Sequence, residues 1–242
     1  MPDKNHLGFL KPVLLACLWA LPCVPAQAIQ GGTLAPQNTL TQATVGIGTL
    51  HGGFGEISLS RCSGVLISPD LVLTAAHCVK NNPVASAVVF YEGSRPVRPS
   101  IPVVEVERYD VALADLPEEY AALSSLSLDT AILRLEKPVR GRRPIPLGQG
   151  APPAVLRLTG AGMSRQGVGV MKTTRLDRLM VTSTGLVIAA ARGSQVCRGD
   201  SGGPVVADGR NGPVLWGVAS AVLSDDGACG QVVVIAPARA SF

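Results

Sequence analysis

Apolar positions along this chain fall in short runs broken by glycine, not in long stripes of helical spacing. Runs at 44–48, 64–67 and 71–74 predict β-strands, with Pro69-Asp70 as the turn between the last two. A further strand is predicted at 130–135, and a second set at 155–158, 186–188, 205–206, 214–218 and 232–235. Residues 81–128 are less regular. Pro96, Pro99 and Pro102 point to an edge strand or loop, because proline removes a ladder donor, and 117–123 suits a short helix. Proline and glycine cluster over 144–153, between the two sets of strands. Short strands separated by turn residues predict an all-β fold, a barrel or a sandwich.

Composition strengthens that picture: of 242 residues, 27 are Gly and 19 Pro, and aromatics make up only 4%. A net charge of +4 is mild, and Arg140-Gly141-Arg142-Arg143 suits a solvated loop, so no nucleic-acid partner is expected. At the N-terminus Lys4 and Lys11 precede or border an apolar stretch, 13–24, too short to span a bilayer. Ala26-Gln27-Ala28 then has the form of a signal-peptidase site. The expectation is a signal peptide over 1–28, a secreted or periplasmic product, and no membrane span in the mature chain. Leu14-Leu15-Ala16-Cys17 loosely resembles a lipoprotein cleavage box, but a cut there would fall too early in the apolar stretch.

Cleavage after Ala28 removes Cys17, Cys23 and His6. It leaves Cys62, Cys78, Cys197 and Cys229, and only His51 and His77. An even set of cysteines in an exported chain suggests two disulfides, with three pairings open.

The chemistry centres on Cys197-Arg198-Gly199-Asp200-Ser201-Gly202-Gly203-Pro204. Flanking glycines permit the sharp turns that expose a nucleophilic serine while its own N–H faces a developing oxyanion. Gly199-x-Ser201-x-Gly203 also fits the nucleophile elbow of α/β-hydrolases, but that fold needs its histidine after the serine, and none follows Ser201. The base must lie upstream. His51, beside Gly52-Gly53, reads as a turn or surface residue, whereas His77 stands in Leu73-Thr74-Ala75-Ala76-His77-Cys78 after a strand-like run. A carboxylate is needed to orient the imidazole, and both Asp110 and Asp129 head apolar runs.

These segments resemble the chymotrypsin/trypsin-type serine proteases, in the family order His, Asp, Ser. The resemblance implies two six-stranded antiparallel β-barrels, 29–146 and 147–242, with the active site in the cleft between them. It implies Ser201 as nucleophile, His77 as base and then acid, and the N–H groups of Gly199 and Ser201 as the oxyanion hole. Asp129 is preferred over Asp110, because the run from Asp129 to Lys137-Pro138, then Pro144-Ile145-Pro146-Leu147, follows the family pattern. Cys62–Cys78 and Cys197–Cys229 would be the disulfides. Ser220 would lie near the buried aspartate.

Signal cleavage would expose Ile29-Gln30-Gly31-Gly32, similar to the family's mature start, whose ammonium pairs with the aspartate before the nucleophile, here Asp200. Gln195 falls at the pocket floor and Val222 at the pocket wall. A neutral floor and a narrowed wall imply small or medium uncharged side chains before the cut, unless Asp225 and Asp226 restore a basic preference. The C-terminal run 237–242 is shorter than the family's usual closing helix. A monomer acting on protein or peptide substrates is expected, with no cofactor and no metal. The rival expectation is a non-catalytic binding protein of the same fold, and an esterase would use the same residues.

Overall fold

A computed structural model describes residues 28–53, 56–79, 83–108, 128–164, 167–224 and 228–238. The expected signal segment up to residue 27, Asp110 and the helix expected at 117–123 lie outside these residues.

After a two-residue strand, Thr33–Leu34 (β1), and a short helix, Thr39–Ala43 (α1), six strands close into a first barrel. They are Thr44–Gly53 (β2), Glu56–Leu66 (β3), Leu71–Thr74 (β4), Ala85–Glu92 (β5), Arg95–Arg108 (β6) and Ala131–Leu135 (β7), in spatial order β2-β3-β4-β7-β6-β5. The chain continues through Val155–Gly160 (β8), Met163–Ser164 (β9), Gly167–Val168 (β10), Lys172–Val181 (β11) and Val187–Ala191 (β12). Val196–Cys197 (β13), Pro204–Gly209 (β14), Gly212–Leu223 (β15), Cys229–Gly230 (β16) and Val232–Pro237 (β17) complete it. In order β8-β11-β12-β17-β15-β14, with β14 pairing back on β8, six of these close a second barrel. The fold is therefore all-β, with two six-stranded antiparallel barrels, as expected.

Alternation explains the strands that the sequence announces. In β8, Leu156 and Leu158 point into the core while Val155 is exposed and Arg157 half-exposed. Strand β6 is the surprise. Despite its prolines it is paired on both sides, with Tyr91 opposite Pro96 and Ala87 opposite Pro102. The register slips between Val88 and Phe90 and again between Val103 and Glu105. Such bulges interrupt the ladder and relieve the demand for a donor at every position, so prolines fit inside a barrel.

Each barrel has its own apolar core. Val45, Ile47, Leu66, Leu73 and Leu133 fill the first, and Leu158, Leu176, Ala189, Val233 and Ile235 the second. The N-terminal strap crosses between them: β1 pairs with β11, and Ile29 is fully buried in the second core. Burying one isoleucine side chain stabilises by about 2–3 kcal/mol, so the strap fixes its own end firmly. Among the described residues, no helix is long and apolar enough to cross a membrane.

Candidate active site

Three segments meet where the barrels face each other. A 3-10 turn, Ala76–Val79, follows β4 and carries His77. Asp129 lies just ahead of β7, and the loop between β13 and β14 carries Ser201. Cys62–Cys78 ties the histidine turn to β3, and Cys197–Cys229 ties the serine loop to β16. Cys62, His77 and Cys78 cluster tightly enough to suggest metal ligands, but both sulfurs are spent on the disulfide.

His77 is held by two hydrogen bonds to one carboxylate. Its backbone N–H donates to Asp129 Oδ1 at 2.8 Å, and its Nδ1 lies 2.7 Å from Asp129 Oδ2. The Ser220 hydroxyl donates to the same Oδ2 at 2.6 Å. Burial pushes the Asp129 carboxyl up, but the His77 hydrogen bond and charge, together with Ser220, outweigh it and hold the pKa below the ordinary value. With Nδ1 committed to Asp129, Nε2 is left for the cleft.

The serine loop curls on itself: Asp200 N–H donates to Cys197 O at 3.0 Å and Gly203 N–H to Asp200 O at 2.9 Å. Gly199 and Gly202 carry φ of 93° and 79°, a region unfavourable to other residues. At Gly202 space demands glycine as well, since a Cβ would collide with Thr74 Oγ1 and Ser63 O. Among the described residues, the N–H groups of Gly199 and Ser201 have no protein acceptor, which suits them to an oxyanion. Ser201 Oγ and His77 Nε2 close no hydrogen bond among the described residues. Such contacts are commonly loose until substrate compresses them.

The first barrel grips this loop through Ser63, which is fully buried. Its N–H donates to Ser201 O at 2.7 Å and its hydroxyl to Gly199 O at 2.9 Å. That hydroxyl also accepts from Ala161 N–H at 2.9 Å, and Ser63 O accepts from Thr74 Oγ1 at 2.7 Å. Sequence reading passed over Ser63. Its position directly after Cys62 was the only local hint.

The cleft holds about 420 Å³ and is lined by His77, Ser201, Gly199, Ser220 and the apolar Val196, Ala219, Ala221 and Val222. Gln195 is exposed and does not line it; its N–H donates to Gln30 O at 2.8 Å. Val196, the next residue, takes that side of the cleft instead. His51, expected at a turn, lies within β2 opposite Ser58, with Nε2 3.0 Å from the Oγ of Ser60, a residue at the margin of the cleft. Asp225 and Asp226 lie outside the described residues.

Asp200 faces away from the cleft, fully buried. Its Oδ2 accepts from Ile29 N–H at 3.0 Å and Cys197 N–H at 2.9 Å, and its Oδ1 has no partner among the described residues. Burial pushes its pKa up to about 7 against the pull of the Cys197, Ile29 and Gly162 amides and the Lys172 charge. Ile29 itself has φ of 23°, a strained value for a β-branched residue.

The sequence model of the trypsin family matches residues 29–238. Serine protease SP24D of Anopheles gambiae is 31% identical over 183 residues, covering 67% of this chain and 63% of that protein, so the match spans under two thirds of this relative's length. HL collagenase superposes with a TM-score of 0.64 at 21% identity, covering 86% of this chain and 93% of its own. A scabies mite inactivated protease paralogue, S-D1, gives 0.63 at 17%, covering 86% and 92%. The protease Anisep from Arthrobacter nicotinovorans gives 0.59 at 14%, covering 83% and 92%. At these identities the structural likenesses speak for the fold alone. Joined with the family match across both barrels, they make this chain a member of the trypsin family of chymotrypsin-fold serine proteases.

Proposed function

We propose that the chain is a secreted or periplasmic serine endopeptidase that hydrolyses peptide bonds through an acyl-enzyme. The observation that carries this is the His77–Asp129–Ser220 arrangement, with Nδ1 to Oδ2 at 2.7 Å. It gives a fixed imidazole whose Nε2 serves a cleft that also contains Ser201. His77 Nε2 takes the Ser201 proton as Oγ attacks the carbonyl carbon. The oxygen gains charge and is met by the N–H groups of Gly199 and Ser201. His77 then returns the proton to the leaving amine, and water repeats the sequence on the acyl-enzyme. The apolar lining by Val196, Ala221 and Val222 favours a small or medium uncharged side chain before the cut.

Activation is part of the same reading. Removal of 1–28 turns the Ile29 amide into an ammonium with three donors, 3.0 Å from the buried Asp200 carboxylate. The cut also releases the strain at Ile29, which costs about 1–3 kcal/mol in such conformations. The family match begins at this residue.

A fold shared with an inactivated paralogue keeps the non-catalytic reading in play. Against it stand His77, Asp129 and Ser201 in intact motifs. A fluorophosphonate probe on the chain beginning at Ile29 separates the two. Stoichiometric labelling abolished by Ser201→Ala is expected. A well-folded chain that takes no label refutes the enzyme reading.

A further inference from the structure

The cleft is electrostatically one-sided. Arg61 and Arg198 line it, and among the described residues no carboxylate does. Asp129 is spent on His77 and Ser220 behind the imidazole, and Asp200 is fully buried. Arg134, Arg157, Arg175 and Arg192 elsewhere on the surface are each matched to a carboxylate. Arg61 and Arg198 form no ion pair among the described residues. They come from opposite walls. Arg61 is in β3, next to the Cys62–Cys78 disulfide beside His77, and Arg198 directly precedes the oxyanion donor Gly199.

The chemistry gives these walls a direction. The leaving amine takes its proton from His77, so the segment after the scissile bond departs along His77, Cys78, Cys62 and Arg61. The segment before it rests on Ser220–Val222. We propose that Arg61 and Arg198 select peptides carrying Asp or Glu one or two residues after the scissile bond. This rests on the endopeptidase reading. Half-exposed or exposed guanidiniums are partly screened, so each supplies a modest preference, roughly up to fivefold. Two acting on one anionic segment also steer its approach at low salt.

The test uses quenched fluorescent peptides with valine before the cut and Glu, Gln or Lys at the first and second positions after it. The chain beginning at Ile29 is expected to rank kcat/KM as Glu over Gln over Lys, with Glu over Gln at about fivefold or more in low salt. That ratio should shrink towards one in about 0.5 M NaCl, where screening is nearly complete beyond a few ångströms. Arg61→Gln and Arg198→Gln should each shrink it at low salt. A Glu/Gln ratio at or below one, a preference for Lys, or a ratio untouched by both substitutions overturns the proposal. Fluorophosphonate titration reports on the endopeptidase reading independently. If hydrolysis fails altogether, anisotropy of the same peptides on Ser201→Ala decides, and Glu peptides bound no tighter than Gln peptides overturn the proposal.

Discussion

Asp200 makes a quantitative prediction about the N-terminus. Two chains are compared, both carrying Ser201→Ala to prevent self-cleavage: one begins at Ile29, the other retains residues 26–28 ahead of it. In the continuous chain Asp200 is fully buried with a pKa of about 7, against an ordinary 3.8. The folded state therefore holds a proton that the unfolded chain releases between about pH 4 and pH 7. Below that window both states are protonated and nothing is lost. Across it stability falls as pH rises, and above it the full penalty stands. The span from 3.8 to about 7 corresponds to roughly 4 kcal/mol.

In the chain beginning at Ile29 an ammonium replaces the amide beside Oδ2, and the ionised carboxylate becomes the favoured form. Its stability should not decline through that window. It should decline only when the terminal amine, ordinarily near pH 8 and raised by the pairing, loses its proton. Urea unfolding followed by Trp216 fluorescence at several pH values measures both curves. The expected result is convergence near pH 4 and a gap of several kcal/mol by pH 8. Parallel curves would refute the reasoning, as would an extended chain more stable at neutral pH.

Asp129→Asn should lower kcat by about 10⁴-fold with KM little changed, because His77 loses the partner that fixes its tautomer; ester-substrate kinetics read this. Ser63→Ala leaves the buried Gly199 carbonyl and Ala161 N–H without their partner, and should cost about 2–4 kcal/mol of stability and reduce kcat more than it raises KM; urea unfolding and steady-state rates check it. Val222→Gly should open the pocket and shift preference from alanine or valine towards phenylalanine before the cut by about tenfold or more, read as a kcat/KM ratio.

What the sequence made legible was chemistry with few candidates. With two histidines beyond residue 28 and none after Ser201, residue order put the base upstream, the Leu73–Cys78 setting chose His77 over His51, and the structure brings it to 2.7 Å from Asp129. Short glycine-broken runs pointed to an all-β barrel or sandwich, and the two-barrel architecture came from the family resemblance alone. Less legible were features set by partners far along the chain. Strand β6 looked like an edge strand or loop because its prolines were weighed alone, without the bulged pairings that accommodate them on both sides. Gln195 was placed at the pocket floor by the family resemblance, yet its backbone is drawn to Gln30, and Val196 lines the cleft. Ser63 carries only the faint signature of following Cys62, for its hydroxyl acts on Gly199, 136 residues away.

Ser63 also shows how the two barrels divide the work. The first supplies His77 and Asp129; the second supplies Ser201 and, through Ser220, the last hydrogen bond to Asp129. Neither barrel core contains the alignment of base and nucleophile. That alignment resides in the seam, in the three hydrogen bonds of Ser63 with Ser201, Gly199 and Ala161 and the close approach of Gly202 to Thr74. A seam of a few polar contacts opens at lower free energy than a core of buried leucine and valine. On heating, fluorophosphonate labelling should therefore fade before the β-sheet circular dichroism does, and the interval between the two should be narrowest in chains whose Ile29 ammonium is paired with Asp200, beside Ser201. Coincident loss of both signals would mean that seam and cores melt as one unit.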